Sequence, residues 1–237
     1  MPTTGHTIKA FDQELDQLRA TIAEMGGLAE AAIHDAMEAL VRRDEEGAAR
    51  VVERDRKIDA LEAEAERKAV QIIALRAPMA DDLREVVAAL KIAGVVERIG
   101  DYAKNIAKRV ASVEDSRIRP LSLLPEMARI AGEMVHDVLD AFAARDAEKA
   151  RAVCERDAAV DDFYNSIFRS LLTHMMENPH NITPATHLLF VAKNLERIGD
   201  HATNVAEMVY FAATGVHLAD RAKGADTTGI AAGDLVE

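Results

Sequence analysis

Apolar residues recur at intervals of three and four along almost the whole chain. The first stripe runs Phe11, Leu15, Leu18, Ile22, Met25, Ala29, Ile33, Met37 and Leu40, one face of a long amphipathic helix. The Gly26-Gly27 pair within it predicts a bend or a local weakening. Arg42-Arg43 closes this helix. Asp44 caps a second, from about Glu45 to Arg76, with Glu45 and Glu46 well placed in its first turn. Pro78 breaks the pattern, and Asp81 or Asp82 caps a third helix reaching about Val113. The stretch Ser116 to Leu124, with Pro120 and then Pro125, is the clearest interior break. A fourth helix spans Pro125 to Arg145, and a fifth runs from Asp146 to just before Pro179. A sixth opens at Thr183-Pro184, a capping residue followed by proline at the first helical position, and ends near Thr214. From Gly215 onward no apolar period remains, so a frayed tail is expected. No strand is predicted, and the fold class is all-α.

The two halves of this pattern resemble each other. A shift of 102 aligns His34-Asp35 with His136-Asp137, Arg43-Asp44 with Arg145-Asp146, and Glu53-Arg54-Asp55 with Glu155-Arg156-Asp157. Residues 28–59 and 130–161 share 13 identities in 32 positions. Further on the shift falls to 99, and Glu97-Arg98-Ile99-Gly100-Asp101 matches Glu196-Arg197-Ile198-Gly199-Asp200. This is an internal duplication, so whatever both halves keep serves a need common to both.

Composition narrows the class. Lys and Arg total 29 against 41 Asp and Glu, a net charge of −12, with no basic tract, which argues against nucleic-acid binding. Hydrophobic residues at 49% are too many for a disordered chain. Aromatics at 4%, with few Gly and Pro, favour long helices. A single Cys suits a reducing compartment. Neither a signal peptide nor a membrane-spanning run is visible, so a cytoplasmic location is expected.

The duplication also sorts the acids. Each half keeps two carboxylate pairs at i, i+4, Asp55/Asp59 with Glu97/Asp101 and Asp157/Asp161 with Glu196/Asp200. That spacing puts both members on one helix face, where like charges repel. The first two pairs are centred on Pro78, the second two on Asn178-Pro179. If each helix pair folds back at its proline, four carboxylates meet at one height in each half. Such oxygen-rich sites suit divalent metals, and bundle cores build carboxylate-bridged iron or manganese clusters this way. Gly100 and Gly199, mid-helix beside the acids, permit close approach of a helix or ligand. Asn105 and Asn204, one turn on, could orient a ligand. Arg54, Arg98, Arg156 and Arg197 offer the competing account, ordinary surface ion pairs.

With ERIGDYAKNIA at 97–107 and ERIGDHATNVA at 196–206, the Arg-Asp turn before each second helix, and the P-x-x-x-D-L-R segment from Pro78 to Arg84, the chain resembles the PhoU family of bacterial phosphate-uptake regulators nearly to Thr214. The resemblance implies two pseudo-symmetric three-helix bundles, here a first repeat over 1–115 and a second over 116–214, followed by a flexible tail over 215–237. It implies iron or zinc, in sites that can be multinuclear, on Asp55, Asp59, Glu97 and Asp101 and on Asp157, Asp161, Glu196 and Asp200. It further implies a homodimer that couples the cytoplasmic ATPase of the phosphate ABC transporter to a sensor histidine kinase. In that role it represses phosphate-starvation signalling when phosphate is plentiful. One departure is His201, which stands where the first half has Tyr102, so the two sites need not bind the same metal.

Remaining residues carry less. His34 and His136 are kept in both halves, and Glu133 with His136 makes an E-x-x-H, but Ala31 replaces that Glu in the first half. Packing or hydrogen bonding is therefore the expected role of both histidines. Cys154 aligns with Val52 and reads as a small buried apolar residue, and Met175 and Met176 as filler. No nucleophile–base–orienter set, P-loop or dinucleotide motif is present, so a non-enzymatic regulator is expected. The alternatives are a carboxylate-bridged metalloenzyme and a metal-binding bundle without a signalling role.

Overall fold

The computed structural model describes residues 4–113 and 122–218. The chain forms helix α1 (Thr4–Arg42), α2 (Glu45–Arg76), α3 (Asp81–Ala107), α4 (Leu124–Ala144), α5 (Ala147–Glu155), α6 (Asp157–Glu177) and α7 (Ile182–Thr214). The helices make two three-rod bundles, α1–α3 and α4–α7, with α5 and α6 as two segments of one rod. Between the bundles, α3 packs against α7 and α1 against α4. Of the predicted break, residues 114–121 lie outside the described residues, as does the predicted tail beyond residue 218.

The predicted stripe of α1 is buried: Leu18, Ile22, Met25 and Ala29 are 0% exposed. The Gly26-Gly27 pair does not interrupt α1, which is one continuous helix. Gly26 instead makes room for α4, because a Cβ there would lie 2.2 Å from Leu139 Cδ1. Cys154 is buried and Met175 packs against the core, whereas Met176 is exposed near the α6–α7 turn.

The Arg-Asp turn is built identically in both halves. Arg43 and Arg145 adopt left-handed backbone (φ 58° and 53°). The following N–H then reaches back to close the helix, Asp44 to Ala39 O and Asp146 to Ala141 O, each at 2.9 Å. The Asp44 carboxylate accepts from Gly47 N–H and the Asp146 carboxylate from Lys149 N–H, capping the next helix.

Four boundaries differ from the sequence expectation. The third helix begins at Asp81 itself, behind Ala80 in left-handed backbone, and neither Asp81 nor Asp82 caps it by a side chain. The third helix ends at Ala107, followed by a 3-10 turn over Val110–Ser112. The fifth rod breaks at Arg156, where i→i+3 bonds, Arg156 N–H to Val153 O and Ala159 N–H to Arg156 O, replace the α pattern. Finally, α7 begins at Ile182, so Pro184 lies within its first turn, where its missing N–H costs nothing.

One buried group ties the bundles. Glu85 of α3 is 3% exposed. It accepts from Arg19 Nε of α1 at 2.7 Å and pairs with Arg145 from the α4–α5 turn.

Candidate functional site

Asp55 and Asp59 stand one turn apart on α2, facing Glu97 and Asp101 on α3. Gly100 brings the two helices together: a Cβ there would lie 2.8 Å from Ile58 Cδ1 and 3.4 Å from Asp55 Oδ1. Asp55 is buried. Lys104 ties the two helices, donating to Asp55 Oδ2 at 2.5 Å and to Asp101. Burial pulls the Lys104 ammonium down, but the bonds to Asp101 and Asp55 outweigh it and hold the group charged. Asp59 is raised above the usual carboxylate range, first by desolvation and then by the charges of Asp55 and Asp101. Glu97 is raised by desolvation and then by Asp101, Asp59 and Glu62. The four acids thus act on one another across the α2–α3 contact.

The second half repeats the arrangement on α6 and α7. A Cβ on Gly199 would lie 3.3 Å from Val160 Cγ1 and 3.6 Å from Asp157 Oδ1. Asp161 is pushed up to about 6, by burial and then by Asp157, Glu196 and Asp200. Burial also raises Glu196, against the opposing bond and charge of Lys193, which donates to Glu196 Oε1 at 2.7 Å. Glu196 Oε2 is fully buried and takes no hydrogen bond among the described residues.

These residues fit a bound cation: repelling carboxylates on facing helices, a glycine at each contact, and an orphaned buried oxygen on Glu196. The carboxylate oxygens themselves are held apart. Among the described residues, the one group of three His, Cys, Asp or Glu with ligand atoms within 4.8 Å of one another is His34, Asp35 and Glu38 on α1.

The motif arginines make their ion pairs outside the quartets, although the Arg197 charge also acts on Glu196. Arg54 pairs with Asp35 (2.7 Å), and Arg156 pairs with Asp137 (2.6 Å) and Glu133 (2.8 Å). The Arg-Asp of each second helix therefore anchors the His-Asp of each first helix. Arg197 instead lies over the Tyr102 ring at 5.8 Å. Arg98 acts on His201, which burial and that charge hold toward its neutral form. His201 meets Tyr102 edge-on at 5.2 Å across the α3–α7 contact. The residue that distinguishes the second motif thus belongs to the junction between the halves.

His34 and His136 reach neither quartet. His34 Nδ1 lies 3.4 Å from Asp35, and His136 Nδ1 lies 3.2 Å from Glu30. Both line a groove of about 510 Å³ between α1 and α4. Asn105 is half-buried and Asn204 exposed, and among the described residues neither amide bonds a quartet carboxylate. The cations the sequence reading missed are Lys104 and Lys193. The repeat held the signal, since Lys104 aligns with Thr203 and Lys193 with Gly94.

The family model described as the PhoU domain matches this chain twice, over residues 22–110 and 124–209. The chain belongs to the PhoU family. Each matched span contains one complete quartet. Among PhoU proteins, the chain is 58% identical to the phosphate-specific transport system accessory protein PhoU homolog of Zymomonas mobilis, across 94% of each chain. It is 50% identical to the homolog of the same name in Caulobacter vibrioides, covering 91% of this chain and 94% of that one. The crystal structure of PhoU from Pseudomonas aeruginosa matches with a TM-score of 0.84 at 36% identity, covering 87% of this chain and 100% of that chain. Among the described residues no helix is long and apolar enough to cross a membrane.

Proposed function

We propose that this chain is a cytoplasmic, non-enzymatic accessory protein of phosphate-specific transport. In this reading it represses phosphate-starvation signalling when phosphate is plentiful. The observation that carries the reading is the 58% identity, across 94% of both chains, to a protein of that name. The working unit is a homodimer that docks to the transporter's cytoplasmic ATPase and to a sensor histidine kinase, biasing the kinase toward its signalling-off state. The net charge of −12 favours basic patches on those partners.

Within this role the quartets on α2–α3 and α6–α7 hold iron or zinc, with Asp55, Asp59, Glu97, Asp101, Asp157, Asp161, Glu196 and Asp200 as ligands. A bound metal supplies positive charge that offsets the carboxylate repulsion. The chain's own residues do the rest: Gly100 and Gly199 let the helices that carry the acids pack closely, and the acidic faces of α2–α3 and α6–α7 would be presented to partners. Deleting the gene and measuring a phosphatase reporter in phosphate-rich medium tests the role. Derepressed output is expected, and output that stays fully repressed contradicts it.

A further inference from the structure

Away from the quartets, the first helix of each bundle keeps a second set of metal-ligating side chains. His34-Asp35-x-x-Glu38 on α1 returns as His136-Asp137-x-x-Asp140 on α4, at the shift of 102. His34 and Glu38 share a helix face at i, i+4. Together with Asp35 they bring one imidazole nitrogen and two carboxylate oxygens within 4.8 Å of one another. The His34 side chain is open to solvent, and both acids are half-buried. The trio stands between two openings: the α1–α4 groove, lined by His34 and Glu38, and a cleft of about 190 Å³ lined by Asp35, Glu38, Gly47 and Arg54. Arg54 holds Asp35 through Oδ2 and Arg42 holds Glu38 through Oε1, each at 2.7 Å, so each acid has a second oxygen to offer. The copy on α4 is already engaged. His136 Nδ1 turns to Glu30 at 3.2 Å. Lys149, which stands where the first half has Gly47, reaches Asp137 at 3.3 Å and Asp140 at 3.0 Å.

We infer that His34, Asp35 and Glu38 form a site for a borderline divalent ion of the Zn²⁺ class, separate from the quartets and independent of whether those hold metal. One imidazole and two carboxylates are ligands that Zn²⁺ takes, and three protein ligands with a position left for water is the open form of such a site. The imidazole sets it apart from the all-oxygen quartets, because nitrogen favours Zn²⁺, Cu²⁺ and Ni²⁺ over Mg²⁺ and Ca²⁺. Arg54 serves as an outer partner: it holds Oδ2 of Asp35 and leaves Oδ1 facing His34 Nδ1, 3.4 Å away. The pair between Arg42 and Glu38 is an exposed i, i+4 contact and is given up at little cost. Since His34 and Glu38 also wall the α1–α4 groove, an ion on them changes the charge at its edge.

Titration of the chelator-treated, full-length chain with Cu²⁺, read by electron paramagnetic resonance, tests this, with Zn²⁺ calorimetry in parallel. Cu²⁺ is the probe because it binds a given site more tightly than Zn²⁺ and reports a nitrogen ligand directly. Wild type is expected to bind one ion coupled to one nitrogen. His34→Gln removes that coupling and weakens Zn²⁺ binding by more than the roughly tenfold that loss of an outer partner costs, whereas His136→Gln keeps both. Asp35→Asn/Glu38→Gln weakens Zn²⁺ binding as His34→Gln does. Asp101→Ala/Asp200→Ala changes only the quartets and keeps the nitrogen-coupled ion, so this site and the quartet reading stand or fall separately. Nitrogen coupling that survives in His34→Gln overturns the inference, as does its absence from wild type. Binding that His34→Gln abolishes and Asp35→Asn/Glu38→Gln leaves intact marks a lone surface histidine and overturns it too.

Discussion

Asp161 pays a cost for ionising in the fold. Its carboxyl rises from 3.8 to about 6 because of burial and then Asp157, Glu196 and Asp200. A carboxyl whose pKa is higher in the folded state binds more protons there, so its contribution is most favourable below about pH 4 and is lost as pH climbs toward 6. The metal-free chain is therefore expected to lose stability over that window. Asp161→Asn should raise the metal-free Tm at pH 7 by about 2–4 °C, the shift expected for about 1 kcal/mol in a chain of this size. The gain should vanish near pH 4. Thermal melts at both pH values check this, and an equal gain at pH 4 excludes the repulsion account. At Gly100 the missing side chain makes room for a close contact, with a would-be Cβ only 2.8 Å from Ile58 Cδ1. Gly100→Val should cost about 1–3 kcal/mol by overpacking, read as a lower urea midpoint with unchanged slope. The acids were legible because the repeat preserves them. Lys104 was not, because a lysine in an acidic helix reads as surface until the structure shows its stem covered and its ammonium between Asp55 and Asp101.

At the scale of elements, the duplicated Arg-Asp dipeptide is a helix-to-helix turn. Its Arg takes the left-handed position that closes one helix, and its Asp caps the next. Asp44→Ala and Asp146→Ala should each cost about 1 kcal/mol. The two losses should add, since the turns belong to different bundles; urea denaturation of both single variants and the double checks this. Helix identity was legible in the apolar period, as α1 shows from Leu15 to Leu40. The break at Arg156 was not, because Glu155-Arg156-Asp157 repeats Glu53-Arg54-Asp55, which lies inside the unbroken α2. The tripeptide is the same in both places, so it does not by itself specify the 3-10 turn.

At the scale of the whole molecule, the all-α duplicated architecture follows from periodicity and the repeat, but the joint between the bundles does not. Glu85 aligns with Pro184, so nothing in the repeat marks it. It takes Arg19 from its own bundle and Arg145 from the other. Glu85→Ala leaves those arginines facing each other and should destabilise the chain by about 3 kcal/mol, with faster hydrogen exchange along the α3–α7 contact. The α3–α7 junction also carries Tyr102, His201 and the two motif arginines, so it links the two quartets through one contact. In the proposed role, regulation runs through those quartets. The most direct test is complementation of the deletion strain, with the phosphatase reporter read in phosphate-rich medium at matched protein levels. Wild type should restore repression, and a folded Asp101→Ala/Asp200→Ala chain should leave the reporter derepressed. Full repression by that variant would contradict the account.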